Sequence, residues 1–169
     1  MKIHALFLIL LILSSPAFAK EECKLRDYSY ESGVYLLEFY KWDELTEDER
    51  IQSATMYPFK ITNQKENLVF KGIMGYGNGY SYPQISIDLC GHKSDEYRQE
   101  HQRQCHYEGT VYEIDGIKTN FGFSEGEARN PILFPKLQLK FYYSRNGVLN
   151  EYPLMEIPGD IWTNRGCQQ

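Results

Sequence analysis

The chain has 169 residues, a length that fits one domain, and aromatic side chains make up 15% of it. Its formal net charge is −5, and its lysines and arginines form no basic stripe, which argues against binding to the phosphates of nucleic acids. Its apolar runs are too short for a transmembrane helix, which needs about 20 apolar residues.

The first nineteen residues have the features of a signal peptide. Lys2 precedes an unbroken apolar run from Ala5 to Leu13, and Ala17-Phe18-Ala19 fits a small-x-small cleavage site. We therefore expect a signal peptide over residues 1–19 and a single β-rich domain over residues 20–169. Cleavage would leave 17 basic and 23 acidic side chains, a net charge of −6. The predicted location is periplasmic or secreted, with no membrane insertion after cleavage.

The next predicted elements are a strand and a short helix. Residues Val34 to Trp42 are aromatic or branched at both odd and even positions, which predicts a central strand covered on both faces. Thr46 and Glu49 have the spacing of a capping box, so we expect a helix from about Glu47 to Met56, which ends before Pro58.

Three more strands follow. Phe59 to Thr62 and Leu68 to Ile73 are joined by a polar turn, and Gln84 to Leu89 places three aliphatic side chains on one face. Between the second and third strands, residues 72–80 contain four glycines, which allow the backbone to bend sharply.

Four cysteines remain after the predicted cleavage, and an even number in an exported chain favours disulfides. Cys90 and Cys105 flank a polar segment between two predicted strands, so we expect them to pair and close a loop. Cys23 and Cys167 lie near the two ends of the domain, which are often close in space, and we expect them to form the second disulfide. Zinc binding by the four cysteines is the weaker alternative, because the chain has no Cys-x-x-Cys pair.

Two hairpins are predicted after this loop. Asp115-Gly116 is a strong signal for a two-residue turn between the strands Tyr107 to Ile114 and Ile117 to Phe123. That register sets the two flanking isoleucines opposite each other, and Glu113 opposite Lys118.

Asn146-Gly147 predicts a second hairpin, with Phe141 opposite Tyr152. The tail from Pro158 to Cys167 is expected to lack regular structure and to be anchored by Trp162. Seven or eight short strands with regularly spaced turns predict a mainly β domain, either a β-sandwich or a small antiparallel barrel. One short helix and the disulfide-closed polar loop complete the prediction.

The histidines of the predicted mature chain form the first candidate site. His92, His101 and His106 all lie in or beside the predicted disulfide loop, and with Glu100 they could surround a divalent metal such as zinc or copper. The alternative is a solvated loop of mixed charge, and the spacing favours this second interpretation. No other cofactor is indicated.

Tyrosines form the second candidate site. Tyr76, Tyr80 and Tyr82 lie in the glycine-rich segment, and Tyr97 lies in the polar loop. Such side chains can stack on sugar rings or contact a protein partner. The alternative is that they fold back onto the sheet.

The sequence favours a recognition protein without catalytic activity. It contains no Gly-x-Ser-x-Gly nucleophile motif, and the cysteines are expected to be oxidised. We therefore expect an exported module of the inhibitor or immunity type that binds another protein, and the acidic net charge suits a basic partner. A metal-dependent or carboxylate hydrolase that uses the disulfide loop, and a glycan-binding module that uses the glycine-rich loop, are the alternatives.

Overall fold

The computed structural model describes residues 27–52, 56–76, 83–115, 118–121 and 130–167. The predicted signal peptide, Cys23, Tyr80 and Tyr82 lie outside these ranges, as does the side chain of Tyr76. Among the described residues, no helix is long and apolar enough to cross a membrane.

Ten strands and four short α-helices form within the described ranges. The strands are β1 (Tyr28–Ser32), β2 (Tyr35–Phe39), β3 (Met56–Asn63), β4 (Leu68–Tyr76), β5 (Pro83–Asp88), β6 (His106–Thr110), β7 (Tyr112–Asp115), β8 (Lys118–Phe121), β9 (Ile132–Leu133) and β10 (Ile161–Cys167). The helices are α1 (Glu47–Gln52), α2 (Asp95–Glu100), α3 (Gln102–Cys105) and α4 (Leu137–Arg145).

The strands form one antiparallel sheet that nearly closes into a barrel. Its order is β6-β5-β4-β3-β2-β1-β10-β9-β7-β8. β6 lies at one edge and β7 near the other, yet only Val111 separates them in the chain. The Val111 amide donates to the carbonyl of Pro83 at 3.1 Å and ties this joint to the start of β5. The predicted fold class is therefore confirmed, in its barrel form.

Alternation of side chains explains the barrel. In β2, Tyr35, Leu37 and Phe39 are buried, whereas Leu36 and Glu38 between them are only half-buried. β2 does lie between β1 and β3, as predicted for a central strand, but the expectation that both of its faces are covered is wrong. A barrel strand buries one face, and the aromatic side chains on that face fill the interior.

The direction of each strand determines at which end of the barrel its connection to the next strand lies. The β1–β2 and β3–β4 turns, the disulfide loop and the segment between β9 and β10 all lie at one end, because neighbouring strands are antiparallel. We call the segment of residues 134–160 the cap. Trp42 and α1 follow β2 and therefore lie at the opposite end.

The predicted second hairpin is wrong, because α4 occupies its first strand. Leu137, Phe141 and Ser144 are buried at helical spacing, so the helix turns one face to the barrel. The carboxylate of Asp160 accepts the amide of Gln138 at 2.6 Å and satisfies a free donor at the helix start. Gly147 follows the helix and donates its amide to Ser144 at 3.0 Å.

The tail is also more regular than expected. β10 pairs with β1 on one side and β9 on the other, so the prediction of an irregular tail is wrong. The predicted anchor is confirmed, since Trp162 is fully buried and packs edge-to-face on Tyr35 and Phe134.

The first predicted hairpin exists as β7 and β8, but its register differs. Its first strand, predicted over Tyr107 to Ile114, is wrong as a single strand, because the chain divides at Val111 into β6 and β7. Asp115 pairs with Lys118 and Ile114 with Thr119, a shift of two residues from the expected pairing. A two-residue shift keeps every side chain on the same face, so the hydrophobic alternation could not select the register. The predicted helix was also too long, because Met56 already pairs with Gly75 as the first residue of β3.

Candidate functional site

The disulfide loop and the cap meet at one end of the barrel. Cys90 and Cys105 form the predicted disulfide, with their Cα atoms 5.1 Å apart. β5 and β6 are neighbours, and this brings the two cysteines together at the base of the loop. Cys167 is also disulfide-bonded, and its predicted partner Cys23 lies outside the described residues.

The cap closes the barrel through one aromatic side chain. The ring of Phe141 is fully buried and lies edge-to-face on Phe70 and Tyr35, at centroid distances of 5.1 and 5.6 Å. The hydroxyl of Tyr35 donates to the carbonyl of Glu156 at 2.5 Å. Apolar contact and a hydrogen bond therefore hold the cap in place.

Ionic contacts join the cap to the disulfide loop. The carboxylate of Glu151 contacts Nε2 of His92 at 2.9 Å and Nζ of Lys93 at 2.7 Å. The hydrogen bond from Lys93 is the main reason that the pKa of Glu151 lies below its usual value. Nζ of Lys140 donates to the carbonyl of Arg103 at 2.8 Å, which joins α4 to α3.

The predicted metal ligands do not converge. His92 contacts Glu151, while His101 stacks on Tyr97 with ring centroids 4.1 Å apart. His106 begins β6, and Glu100 is exposed at the end of α2. Within the described ranges, no group of three His, Cys, Asp or Glu side chains could hold a metal ion. The metal-site hypothesis therefore receives no support from these residues.

Tyr97 and the hollow beside α2 are largely occupied by contacts within the protein. Tyr97 is half-buried, and its ring lies against His101 and 5.5 Å from Nζ of Lys93. His106 lines an open polar hollow of about 380 Å³ beside α2. Arg98 in this hollow is already paired with Asp88 at 2.6 Å. The hollow therefore offers no uncompensated charge from this arginine.

The outer face of α4 exposes three large apolar side chains. Leu139, Tyr142 and Tyr143 are 49%, 46% and 66% exposed. They lie at positions i, i+3 and i+4, so they share one face of the helix. The opposite face of the same helix is buried in the barrel, and we call the exposed triplet the α4 face.

Cations surround the α4 face. Lys140 lies three residues before Tyr143 on the helix, and Arg145 lies 5.8 Å from the ring of Tyr142. Lys136 immediately precedes the first turn of the helix. Arg103 approaches from α3. Within the described part of the chain, none of these four side chains has a carboxylate within 4.0 Å.

The acidic residues of the cap are used elsewhere. Residues 134–160 contain three of them. Glu151 pairs with His92 and Lys93, Glu156 pairs with Lys65 at 3.2 Å, and Asp160 accepts backbone amides at the start of α4. The α4 face is therefore locally basic in a chain of negative net charge.

A cleft of about 200 Å³ lies between α3 and α4, beside the α4 face. Its walls include Arg103, Lys140, Tyr143 and Val148. Burial lowers the pKa of Lys140, because its ammonium loses water at the wall of this cleft. The cleft thus combines two cations with aromatic and aliphatic surface.

Sequence reasoning missed Leu139, Tyr142, Tyr143 and Lys140 as site residues, because it placed them in a strand. Two signals favour a helix at this point. Arg145 lies in the last turn and Gly147 follows the C-cap residue, as is usual at the C-terminus of a helix.

Comparison with known proteins gives no match. No family model fits the chain, and no curated protein or solved structure is significantly similar to it.

Proposed function

We propose that the protein is an exported, non-catalytic recognition module, and that it binds another protein through the α4 face. The observation that carries this proposal is the exposure of Leu139, Tyr142 and Tyr143 side by side on one helix. Tyrosine is enriched at protein interfaces, where its ring supplies apolar area and its hydroxyl a hydrogen bond.

The way in which α4 is held supports this proposal. Its buried side fixes the helix through Phe141, and Lys140 joins it to α3. A partner would therefore meet side chains on a rigid element, which reduces the entropy lost on binding. Export is supported by the Cys90–Cys105 disulfide, because such bonds persist in oxidising compartments.

A capture experiment with matched variants tests the proposal. The immobilised wild-type protein, a Tyr143→Ser variant and a Trp42→Ser variant are each incubated with proteins of the compartment from which the chain is recovered. Trp42 is 52% exposed and lies at the opposite end of the barrel, so it controls for loss of an exposed aromatic ring. Equal thermal unfolding midpoints would show that both variants fold.

We expect one protein to be retained by the wild type and by Trp42→Ser, and to be lost from Tyr143→Ser. A hot-spot side chain typically contributes 2 kcal/mol or more, which is roughly a thirtyfold change in affinity. Retention that depends on Trp42 instead, or on neither residue, would contradict the proposed surface.

A further inference from the structure

The partner's contact segment can be specified further, on the basis of the proposed function. We propose that the α4 face takes an acidic segment of the partner protein. One carboxylate of that segment enters the cleft between Arg103 and Lys140, and a neighbouring apolar side chain packs on Tyr143.

The charges beside the α4 face are complementary to an acidic segment. Four cations lie on or next to α4, three of them beside Tyr142 or Tyr143, and the three acids of the cap are engaged in other contacts. Like charges brought together at an interface weaken binding, whereas opposite charges select the partner and orient it. The net charge of the chain predicts a basic partner, but contact is governed by charges within a Debye length, about 8 Å at physiological salt.

The two cations of the cleft offer hydrogen-bond donors that suit a carboxylate. Lys140 uses one of its three donors on the carbonyl of Arg103, so two remain for a ligand. The guanidinium of Arg103 can bind a carboxylate through two parallel hydrogen bonds. A carboxylate placed between them would compensate both charges at once.

The cleft has the size of a single side chain. Its volume of about 200 Å³ is below the usual 300–1,000 Å³ of pockets that enclose a drug-sized molecule. The cleft suits one side chain of a larger ligand. The exposed rings of Tyr142 and Tyr143 lie beside the cleft, where they can contact the remainder of that ligand. A polyanion such as a nucleic acid would need a longer row of cations and would not use an apolar helix face.

Peptide selection tests this inference without knowledge of the partner. A phage-displayed library of random dodecapeptides is selected on the wild-type protein and, in parallel, on Lys140→Glu and Lys71→Glu. Lys71 is exposed on β4, so its replacement changes the net charge equally at a different place. Lys140→Gln, which keeps a donor for the carbonyl of Arg103, separates loss of charge from loss of the α3–α4 contact.

We expect the wild type and Lys71→Glu to enrich peptides in which Asp or Glu adjoins Leu, Phe or Trp. A synthetic peptide of that consensus, measured by fluorescence anisotropy, should bind Lys140→Glu at least about tenfold more weakly. Hydrogen bonds to charged groups contribute about 1.5–3 kcal/mol, which corresponds to that range. Lys140→Gln and Arg103→Gln should also weaken binding, and added salt should weaken binding to the wild type.

Other results would overturn the inference. Enrichment of basic or uncharged peptides whose binding still requires Tyr143 would refute the acidic segment and leave the proposed function standing. Binding that Tyr143→Ser does not change, or a selection that enriches no motif, would count against both. Dextran sulfate or single-stranded DNA that binds as tightly as the peptide, without need of Tyr143, would show a general polyanion site instead.

Discussion

Replacing Phe141 by alanine is the sharpest test of how the cap holds the barrel closed. The ring is fully buried and lies against Tyr35 and Phe70. Truncation of a buried phenylalanine to alanine typically costs about 3–5 kcal/mol of unfolding free energy. Two aromatic neighbours lose their partner at once, so we expect a loss of about 4 kcal/mol. For a chain of this size, that corresponds to a fall of roughly 8–16 °C in Tm.

Leu139→Ala is the matched control on the same helix. Leu139 is 49% exposed on the outer face, so its truncation should change stability by no more than about 0.5 kcal/mol. The comparison also separates a helix from the hairpin that the sequence predicts. In a strand, residues 139 and 141 lie on the same face, and both truncations would have similar costs.

Urea unfolding measures both variants. The signal is tryptophan fluorescence, which should change mainly through Trp162, because Trp162 is buried beside Tyr35 whereas Trp42 is already 52% exposed. The midpoint is compared at an unchanged m value. A loss of unfolding free energy below about 1 kcal/mol for Phe141→Ala, or equal losses for the two variants, would contradict the role of Phe141 on α4 in closing the end of the barrel.

Three further predictions concern stability and ionisation. Replacing Cys90 and Cys105 together by serine should lower the unfolding free energy by about 3 kcal/mol, the loop-closure value for 15 residues, and calorimetry without reductant measures it. Burial raises the pKa of three tyrosine hydroxyls, so they should stay protonated when exposed tyrosines ionise near pH 10. An absorbance titration should therefore show a separate ionisation step at higher pH, and this step should coincide with alkaline unfolding. These three are Tyr30, Tyr35 and Tyr107. The pKa of Glu151 is lowered in the folded state, mainly by the hydrogen bond from Lys93. This pairing therefore stabilises the fold above the unfolded-state pKa of Glu151, and its contribution is lost as the pH falls through the folded-state pKa. Glu151→Gln should reduce this acid dependence of the unfolding free energy, by less than about 1 kcal/mol because the pair is exposed.

The parts of the fold that sequence predicts well are those where local and tertiary preferences agree. Ile85 and Ile87 lie on one face of β5, Leu89 follows the end of that strand, and all three are buried. Cys90 and Cys105 follow and precede strands that are neighbours in the sheet, so their pairing could be expected. In both cases the local pattern already names the face or the partner that the barrel uses.

The segment from Leu137 to Tyr152 shows where local patterns fail. Apolar residues at 137, 139, 141, 142 and 143 fit a strand and a helix equally, and Asn146-Gly147 suits a hairpin turn as well as a helix end. Packing at the end of the barrel favours the helix over the strand. Tyr35 and Phe70 leave a site that one buried ring fills, and a helix delivers Phe141 to it while the carboxylate of Asp160 satisfies the helix start.

The charge of the α4 face could not be predicted from the sequence, because it depends on pairings between distant residues. Along the chain, the cap has three acids and three cations and looks neutral. In the folded protein, Glu156 pairs with Lys65, which is 91 residues away in the chain, and Glu151 pairs with Lys93, which is 58 residues away. Both acids thus compensate cations from outside the cap, and the cap's own cations are left without carboxylate partners among the described residues. A chain that is acidic in total can in this way present a basic, aromatic face, and the charge of a partner should be inferred from that face.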